Sequence, residues 1–289
     1  MIPTRDQPDT TGVETWQWRL LFEARASWQA LDAPGALKGL DEIVRRDENS
    51  SRNFILPMMY VSLGRLKQAA RFVEALPALS SPLAGNPPGS LWPDTMLATV
   101  LELSDDRTPL RTLLLTRPRP MMIDTRLRVL MRAGLPDEAE AQIARLEKRF
   151  DGTTVTPTHR VYEAELALSR GEPARAIELL NDLPPPPSNA FSPFRSDLGR
   201  VRALALHALG DTDRAIAVLN EIEGDRHSVA HTSNVGLWLE HRALLARLYH
   251  SAGMADAAAP IENELRKLLA VADADHPIVR QLGIRVSGD

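Results

Sequence analysis

Apolar side chains recur at helical spacing on both sides of Gly253, over residues 239–269. The apolar positions before the glycine share one helical face: Leu245, Ala246 and Tyr249. The apolar positions after it resume the pattern: Ala258, Ile261 and Leu265. Because a single glycine interrupts the periodicity before it returns, the stretch predicts two amphipathic helices joined by a tight turn.

The same turn signal, a glycine followed five residues later by an alanine, recurs along the chain. The copies are Gly64 with Ala69, Gly134 with Ala139, Gly171 with Ala176, Gly210 with Ala215, and Gly253 with Ala258. Ala36 follows Leu31 at the same distance, and the intervals between these alanines are 33, 70, 37, 39 and 43 residues. The interval of 70 spans two repeats, and residues 101–115 fit the turn and second helix of a degraded copy. The sequence therefore predicts seven helix pairs.

The repeated unit resembles the tetratricopeptide repeat, a helix–turn–helix unit of about 34 residues. The residues that carry the resemblance are Leu245, Ala246, Tyr249, Gly253 and Ala258. The resemblance extends from about Trp16 to Leu282, and the last pair with its tail is also similar to the helical-repeat tails of bacterial signalling proteins. It implies an all-α fold, a TPR-like α-solenoid of stacked antiparallel helix pairs.

Three regions are expected along the chain: a loose lead-in at 1–15, a superhelix at 16–274, and a capping helix with its tail at 275–289. The repeats at 116–274 match better than those at 16–115. Pro57 is expected to kink its helix or delay its start, and Pro277 to open the final short helix. Residues 80–93, 184–187 and 224–235 are expected to be loops, because they are rich in Pro, Gly and polar residues.

Composition narrows the possible functions. The net charge is −4, which does not favour nucleic-acid binding, and the absence of cysteine excludes disulfides and a Cys nucleophile. No apolar run is long enough for a membrane span, and no signal peptide is recognised, so a cytoplasmic protein is expected. No phosphate-binding loop or known catalytic motif is present, so no cofactor is expected.

Histidine is the one residue type whose spacing suggests a catalytic metal site. His227 and His231 have the spacing of a helical metal site, and Glu240 and His241 follow within about ten residues. The polar residues around His231 favour a loop over a helix. The metal site therefore stays an alternative, and the expected metal content is none.

The tetratricopeptide resemblance implies that the first helix of each pair lines a concave groove. Counting back from each turn with helical periodicity gives the inward positions: Trp18, Arg25 and Trp28 in the first pair, Phe54 and Met58 in the second, Arg128, Met131 and Arg132 in the fourth, Val161 and Glu165 in the fifth, Arg200, Leu204 and His207 in the sixth, and Arg247 and His250 in the seventh. This face is basic in its C-terminal half, which suits a peptide with acidic groups. Alternatively, its arginines pair with the chain's own carboxylates, and its tryptophans pack in the core.

Three functions follow from these patterns. The first is a non-catalytic scaffold or adaptor that binds a protein or peptide partner in the groove. The second is a regulatory module that senses a peptide or small ligand for a bacterial kinase or transcription factor. The third is a metal-dependent enzyme built on His227, His231 and His241. The groove lacks the Lys and Asn residues with which some tetratricopeptide proteins bind chaperone termini, so that role is not predicted.

Overall fold

The described part of the chain forms α-helices, and no strand is assigned within it. The computed structural model describes residues 15–46, 55–75, 92–116, 123–149, 157–181, 183, 193–222, 226–229 and 234–286. Fourteen helices form seven consecutive pairs: α1 (Thr15–Gln29) with α2 (Ala33–Arg46), α3 (Ile55–Ser62) with α4 (Leu66–Ala75), α5 (Trp92–Leu101) with α6 (Thr108–Thr116), α7 (Ile123–Arg132) with α8 (Pro136–Arg149), α9 (Pro157–Ser169) with α10 (Pro173–Asn181), α11 (Pro193–Ala208) with α12 (Thr212–Ile222), and α14 (Val235–Ser251) with α15 (Ala255–Leu268). Two short helices accompany them, α13 (Arg226–Val229) and α16 (Pro277–Leu282).

The predicted turns have a common backbone geometry. At the second turn, the Gly64 N–H donates to Val61 O and the Arg65 N–H donates to Tyr60 O, both at 2.9 Å. This pair of bonds is the Schellman motif, which requires a left-handed residue after the helix. Gly64 has φ 70°, and Leu31, which replaces glycine in the first turn, has φ 65°. The other turn glycines have the same left-handed backbone, with φ between 68° and 86°: Gly134, Gly171, Gly210 and Gly253. The prediction of a tight turn at each of these glycines is therefore confirmed.

The alanine five residues after each turn lies at the contact between the two helices of a pair. All six of these alanines are fully buried: Ala36, Ala69, Ala139, Ala176, Ala215 and Ala258. A methyl group at this position allows the two helix axes to approach closely. The turn and the small residue together explain why each segment folds back on itself.

Neighbouring pairs pack on each other in chain order. Contacts join α2 to α3, α4 to α5, α6 to α7, α8 to α9, α10 to α11 and α12 to α14. The last pair also returns to the beginning of the chain, because α14 packs against α3 and the rings of Trp28 and Trp238 meet edge to face at 6.1 Å. Buried apolar side chains from α1 to α8 and from α11 to α16 therefore form one continuous core.

Several local predictions can be compared with these helices. The degraded third copy is confirmed as α5 and α6, and Pro57 lies in the first turn of α3, where it breaks no helical hydrogen bond. Pro277 begins α16, whose N-cap His276 accepts a bond from the Ile278 N–H at 3.2 Å.

Two loop predictions need correction. The predicted loop at 80–93 is too long, because α5 begins at Trp92. The predicted loop at 224–235 is interrupted, because α13 forms within it. Phe54, residues 184–187 and most of the lead-in at 1–15 lie outside the described residues.

Candidate functional site

Two arginines one helical turn apart on α7 bind a carboxylate that follows α5. The Arg128 Nε donates to both oxygens of Glu102, at 2.9 and 3.1 Å. The Nε of Arg132 lies 3.4 Å from Glu102 Oε2. The carboxylate of Glu102 is fully enclosed, and Arg128 is 3% exposed. This ionic contact is therefore part of the molecular interior and joins the third helix pair to the fourth.

The fifth and sixth pairs add a second carboxylate to the same place. Asp197 on α11 accepts a hydrogen bond from the Tyr162 hydroxyl of α9 at 3.2 Å, and its Oδ2 lies 3.7 Å from Arg128 Nη1. Asp197 is 1% exposed. Arg128 is thus held between Glu102 and Asp197, which come from two different helix pairs.

Two further ion pairs extend the contact. Arg200 on α11 donates to Glu165 on α9. The Nη1 of Arg132 donates to Glu240 Oε2 on α14 at 2.5 Å. These residues form what we call the interior charge cluster: Glu102, Arg128, Arg132, Glu165, Asp197, Arg200 and Glu240.

Charge balance keeps the arginines of this cluster ionised. Burial alone lowers the pKa of Arg128, yet Glu102 and Asp197 raise it above its ordinary value. The pKa of Arg132 is also raised, because Glu240 and Glu102 outweigh the effect of burial. Removing charges from water costs several kcal/mol for each ion, so the cluster is stable only while its partners stay together.

His241 follows Glu240 on α14 and faces the same region. Burial, together with the nearby charge of Arg200, lowers the pKa of His241 to about 4. The imidazole is therefore neutral at pH 7 and adds no charge to the interior charge cluster.

Two of the three histidines of the proposed metal site lie outside the described part of the structure: His231 and the side chain of His227. The third, His241, is next to the Arg200 cation, which repels a metal ion. Among the residues that the structure describes, no three His, Asp or Glu side chains are grouped closely enough to hold a metal.

Two predicted groove residues, Trp28 and Met58, lie in the core. The Trp28 Nε1 donates to the Ser62 carbonyl at 2.9 Å, and its ring is fully buried against Trp238. Met58 is 4% exposed. Neither side chain can contact a ligand in this arrangement of helices, because the returning α14 and the neighbouring helices cover them.

Five other candidates lie on the surface or at its edge. Trp18 is half-buried and stacks at a tilt on the exposed Phe22, 6.0 Å away, and Arg25 is partly buried on the same helix. His207 contacts Thr212 at 2.9 Å, and His250 contacts Glu262 at 2.7 Å. Arg247 is exposed on α14. These residues do not join the interior charge cluster.

The structure thus brings together four of the predicted residues, Arg128, Arg132, Glu165 and Arg200. Sequence reasoning did not assign Glu102, Asp197 and Glu240 to the groove face. Glu240 was noticed only as a possible metal neighbour. A useful signal was the placement of opposite charges on neighbouring first helices, such as Arg200 on α11 with Glu165 on α9.

None of the helices in the described part of the chain combines the length and the apolar character needed to cross a membrane. No protein-family model matches this sequence, and no curated protein matches it.

Proposed function

We propose that this chain is a TPR-like α-solenoid that acts as a non-catalytic, cytoplasmic scaffold or adaptor. Its partner is a protein segment with acidic groups. The segment binds to two arginines on the inward face of the first helices, Arg132 of the fourth pair and Arg200 of the sixth.

The repeated geometry supports the solenoid part of this proposal. The same left-handed turn, followed by a buried alanine, recurs in six of the seven pairs, and consecutive pairs pack on each other. Stacked repeats of this kind form the extended concave surfaces that helical-repeat proteins use for binding.

The contact between Arg132 and Glu240 carries the binding part of the proposal. A guanidinium group offers two parallel donors that match a carboxylate. Glu240 is distant in sequence from Arg132, and its side chain is 29% exposed, while that of Arg132 is 9% exposed. The carboxylate of Glu240 therefore occupies, from the solvent side, the position that an acidic side chain of a partner takes.

Isothermal titration calorimetry with a hexaglutamate peptide tests this function, with hexaglutamine as the control peptide. Glu240→Gln removes the internal competitor, and we expect it to increase hexaglutamate affinity by about tenfold, in line with the loss of one charged hydrogen bond. Glu178→Gln, which removes an exposed carboxylate from the second helix α10, is the matched control and should change the affinity little. Equal binding of the two peptides to every variant contradicts the proposal.

One observation favours the regulatory module as a second candidate. The last helix pair contacts the first and second pairs, so a ligand that displaced it would change the arrangement of the ends. A change of this kind is what a sensor passes on to an effector.

A further inference from the structure

The turn of the second pair, residues 63–67, is hydrogen-bonded to residues 269–278, which comprise the link from α15 to α16 and the start of α16. The Asp273 N–H donates to Gly64 O at 3.1 Å, and Asp273 Oδ2 accepts from the Lys67 N–H at 3.0 Å. Asp273 thus satisfies a free N–H in the first turn of α4, a helix 206 residues earlier in the chain. We call residues 63–67 and 269–278 the closure joint.

Gly64 differs from the other turn glycines in what surrounds it. A Cβ atom at Gly64 would lie 2.6 Å from the Ala272 Cβ and 2.9 Å from Leu269 Cδ2. At Gly134, which has the same backbone conformation, nothing lies within 4 Å of such an atom. The second turn therefore needs glycine for two reasons: the left-handed backbone and the close approach of the last connection.

Ion pairs surround this contact on its exposed side. Lys67 Nζ lies 2.9 Å from Asp275 Oδ2, and Arg280 Nη1 lies 3.5 Å from Asp105 Oδ2. Pairs of this kind are weak individually, because water and salt screen them.

The closure joint lies close to the interior charge cluster, because residues of both line the same small cavity of about 20 Å³. The lining residues are Val61, Leu103, Gly236, Leu239, Glu240, His276, Pro277 and Ile278. Gly236 is one turn before Glu240 on α14, and a Cβ there would lie 2.3 Å from Leu103 Cδ1. Movement of α14 away from α3 therefore also moves Glu240 away from Arg132.

We propose that the closure joint is an autoinhibitory clamp. While it is closed, Glu240 occupies Arg132 and the last pair covers the inward face. When Asp273 leaves Gly64 and Lys67, α14 shifts relative to α3, Glu240 separates from Arg132, and Arg132 is free to bind the carboxylates of an acidic partner segment. This inference rests on the proposed function for the identity of the ligand, and on the contacts of residues 63–67 and 269–278 for the movement.

Hydrogen exchange on the full chain, followed by mass spectrometry, tests the clamp with Gly64→Ala and the matched control Gly134→Ala. Both variants place a side chain at a left-handed position, so the local strain is the same. Only Gly64→Ala also meets Ala272. We expect the amides of α16 and the Lys67 amide to exchange about tenfold faster in Gly64→Ala than in Gly134→Ala, since local opening sets the exchange rate.

A rescue variant distinguishes the clamp from a general loss of stability. Gly64→Ala combined with Ala272→Gly removes the closest clash, so exchange should return toward the Gly134→Ala rate. Should Gly64→Ala fail to fold, Asp273→Ala replaces it, with Asp256→Ala at an exposed acidic residue as its control. Equal exchange in a test variant and its control overturns the clamp, and so does the absence of rescue in a folded double variant.

Hexaglutamate binding to the same variants separates this inference from the function on which it rests. Faster exchange together with tighter binding in Gly64→Ala supports both. Faster exchange without carboxylate-dependent binding supports the joint as the element that opens and overturns the acidic partner. Equal exchange overturns the clamp whatever the peptide does.

Discussion

Arg132 and Glu240 are 108 residues apart in the chain, yet the guanidinium donates to the carboxylate at 2.5 Å. The bond joins the fourth helix pair to the seventh, which are not neighbours in the order of the chain. It places an acidic group of the protein on the same arginine that the sequence assigns to a ligand-binding face. An ion pair within the chain therefore holds these two helix pairs together in the interior of the molecule.

Removal of the charge from Glu240 tests how much this bond stabilises the fold. Because Arg132 is buried and loses its hydrogen-bonded carboxylate, we expect Glu240→Gln to lower the free energy of unfolding by about 2 kcal/mol. The matched control is Glu178→Gln, whose partner Arg175 is 3.0 Å away but exposed, with an expected loss below about 0.5 kcal/mol. Urea unfolding of both variants measures the difference. Similar losses would show that burial does not strengthen the Arg132–Glu240 pair.

Arg128 has a larger expected effect, since two enclosed carboxylates depend on it. Arg128→Met keeps much of the side-chain volume but leaves Glu102 and Asp197 without their shared cation. We expect a loss of about 4 kcal/mol, the range found when one partner of a buried ion pair is removed. Arg247→Met, at an exposed site, should cost less than about 0.5 kcal/mol. A loss at Arg128 as small as that at Arg247 would contradict a structural role for the interior charge cluster.

The turns could be predicted from the sequence because their cause is local. A left-handed residue and a small contact residue recur in six of the seven pairs, and both leave a recognisable residue type, as at Gly210 and Ala215. Even the exception at Leu31 was identified, since the alanine that follows kept its spacing. Such signals need no knowledge of distant parts of the chain.

The closure of the two ends could not be predicted in the same way. Whether α14 reaches α3 depends on small rotations between consecutive pairs that add up along the whole array. Gly64 looked like the other turn glycines, although its contact with Ala272 makes it different. The sequence pattern predicts the helices that carry the inward arginines, but Glu240, the partner of Arg132, comes from the seventh pair, which only this closure brings near.

The burial of Ala258 predicts that leucine substitutions at Ala258 and at its neighbour Ala259 differ in their effect on stability. Ala258 is fully buried against α14, whereas the side chain of Ala259 points to solvent. Ala258→Leu should lower the free energy of unfolding by about 2 kcal/mol, because extra methylene groups force the two helices apart. Ala259→Leu adds the same atoms to the same helix and should change stability by less than about 0.5 kcal/mol. Equal effects in thermal unfolding would mean that close helix approach is not what the alanine provides.

Two buried histidines predict that stability falls in mild acid. Burial lowers the pKa of both His241 and His276 to about 4, against 6.5 for the ordinary side chain. Between these values the unfolded chain binds protons that the folded chain does not, so the free energy of unfolding decreases as the pH falls. Below about pH 4 both states are protonated and the loss is complete.

The expected loss between pH 7 and pH 5 is about 2 kcal/mol for each histidine. Urea unfolding across this range measures it, above the pH at which most carboxylates titrate. His276→Asn keeps an N-cap acceptor for the Ile278 N–H but does not titrate, so it should reduce the slope by about half. His250→Gln, at an exposed histidine, leaves both buried groups in place and should keep the full slope. A slope that is the same in His276→Asn and in the unmodified chain would show that folding does not lower the pKa of His276.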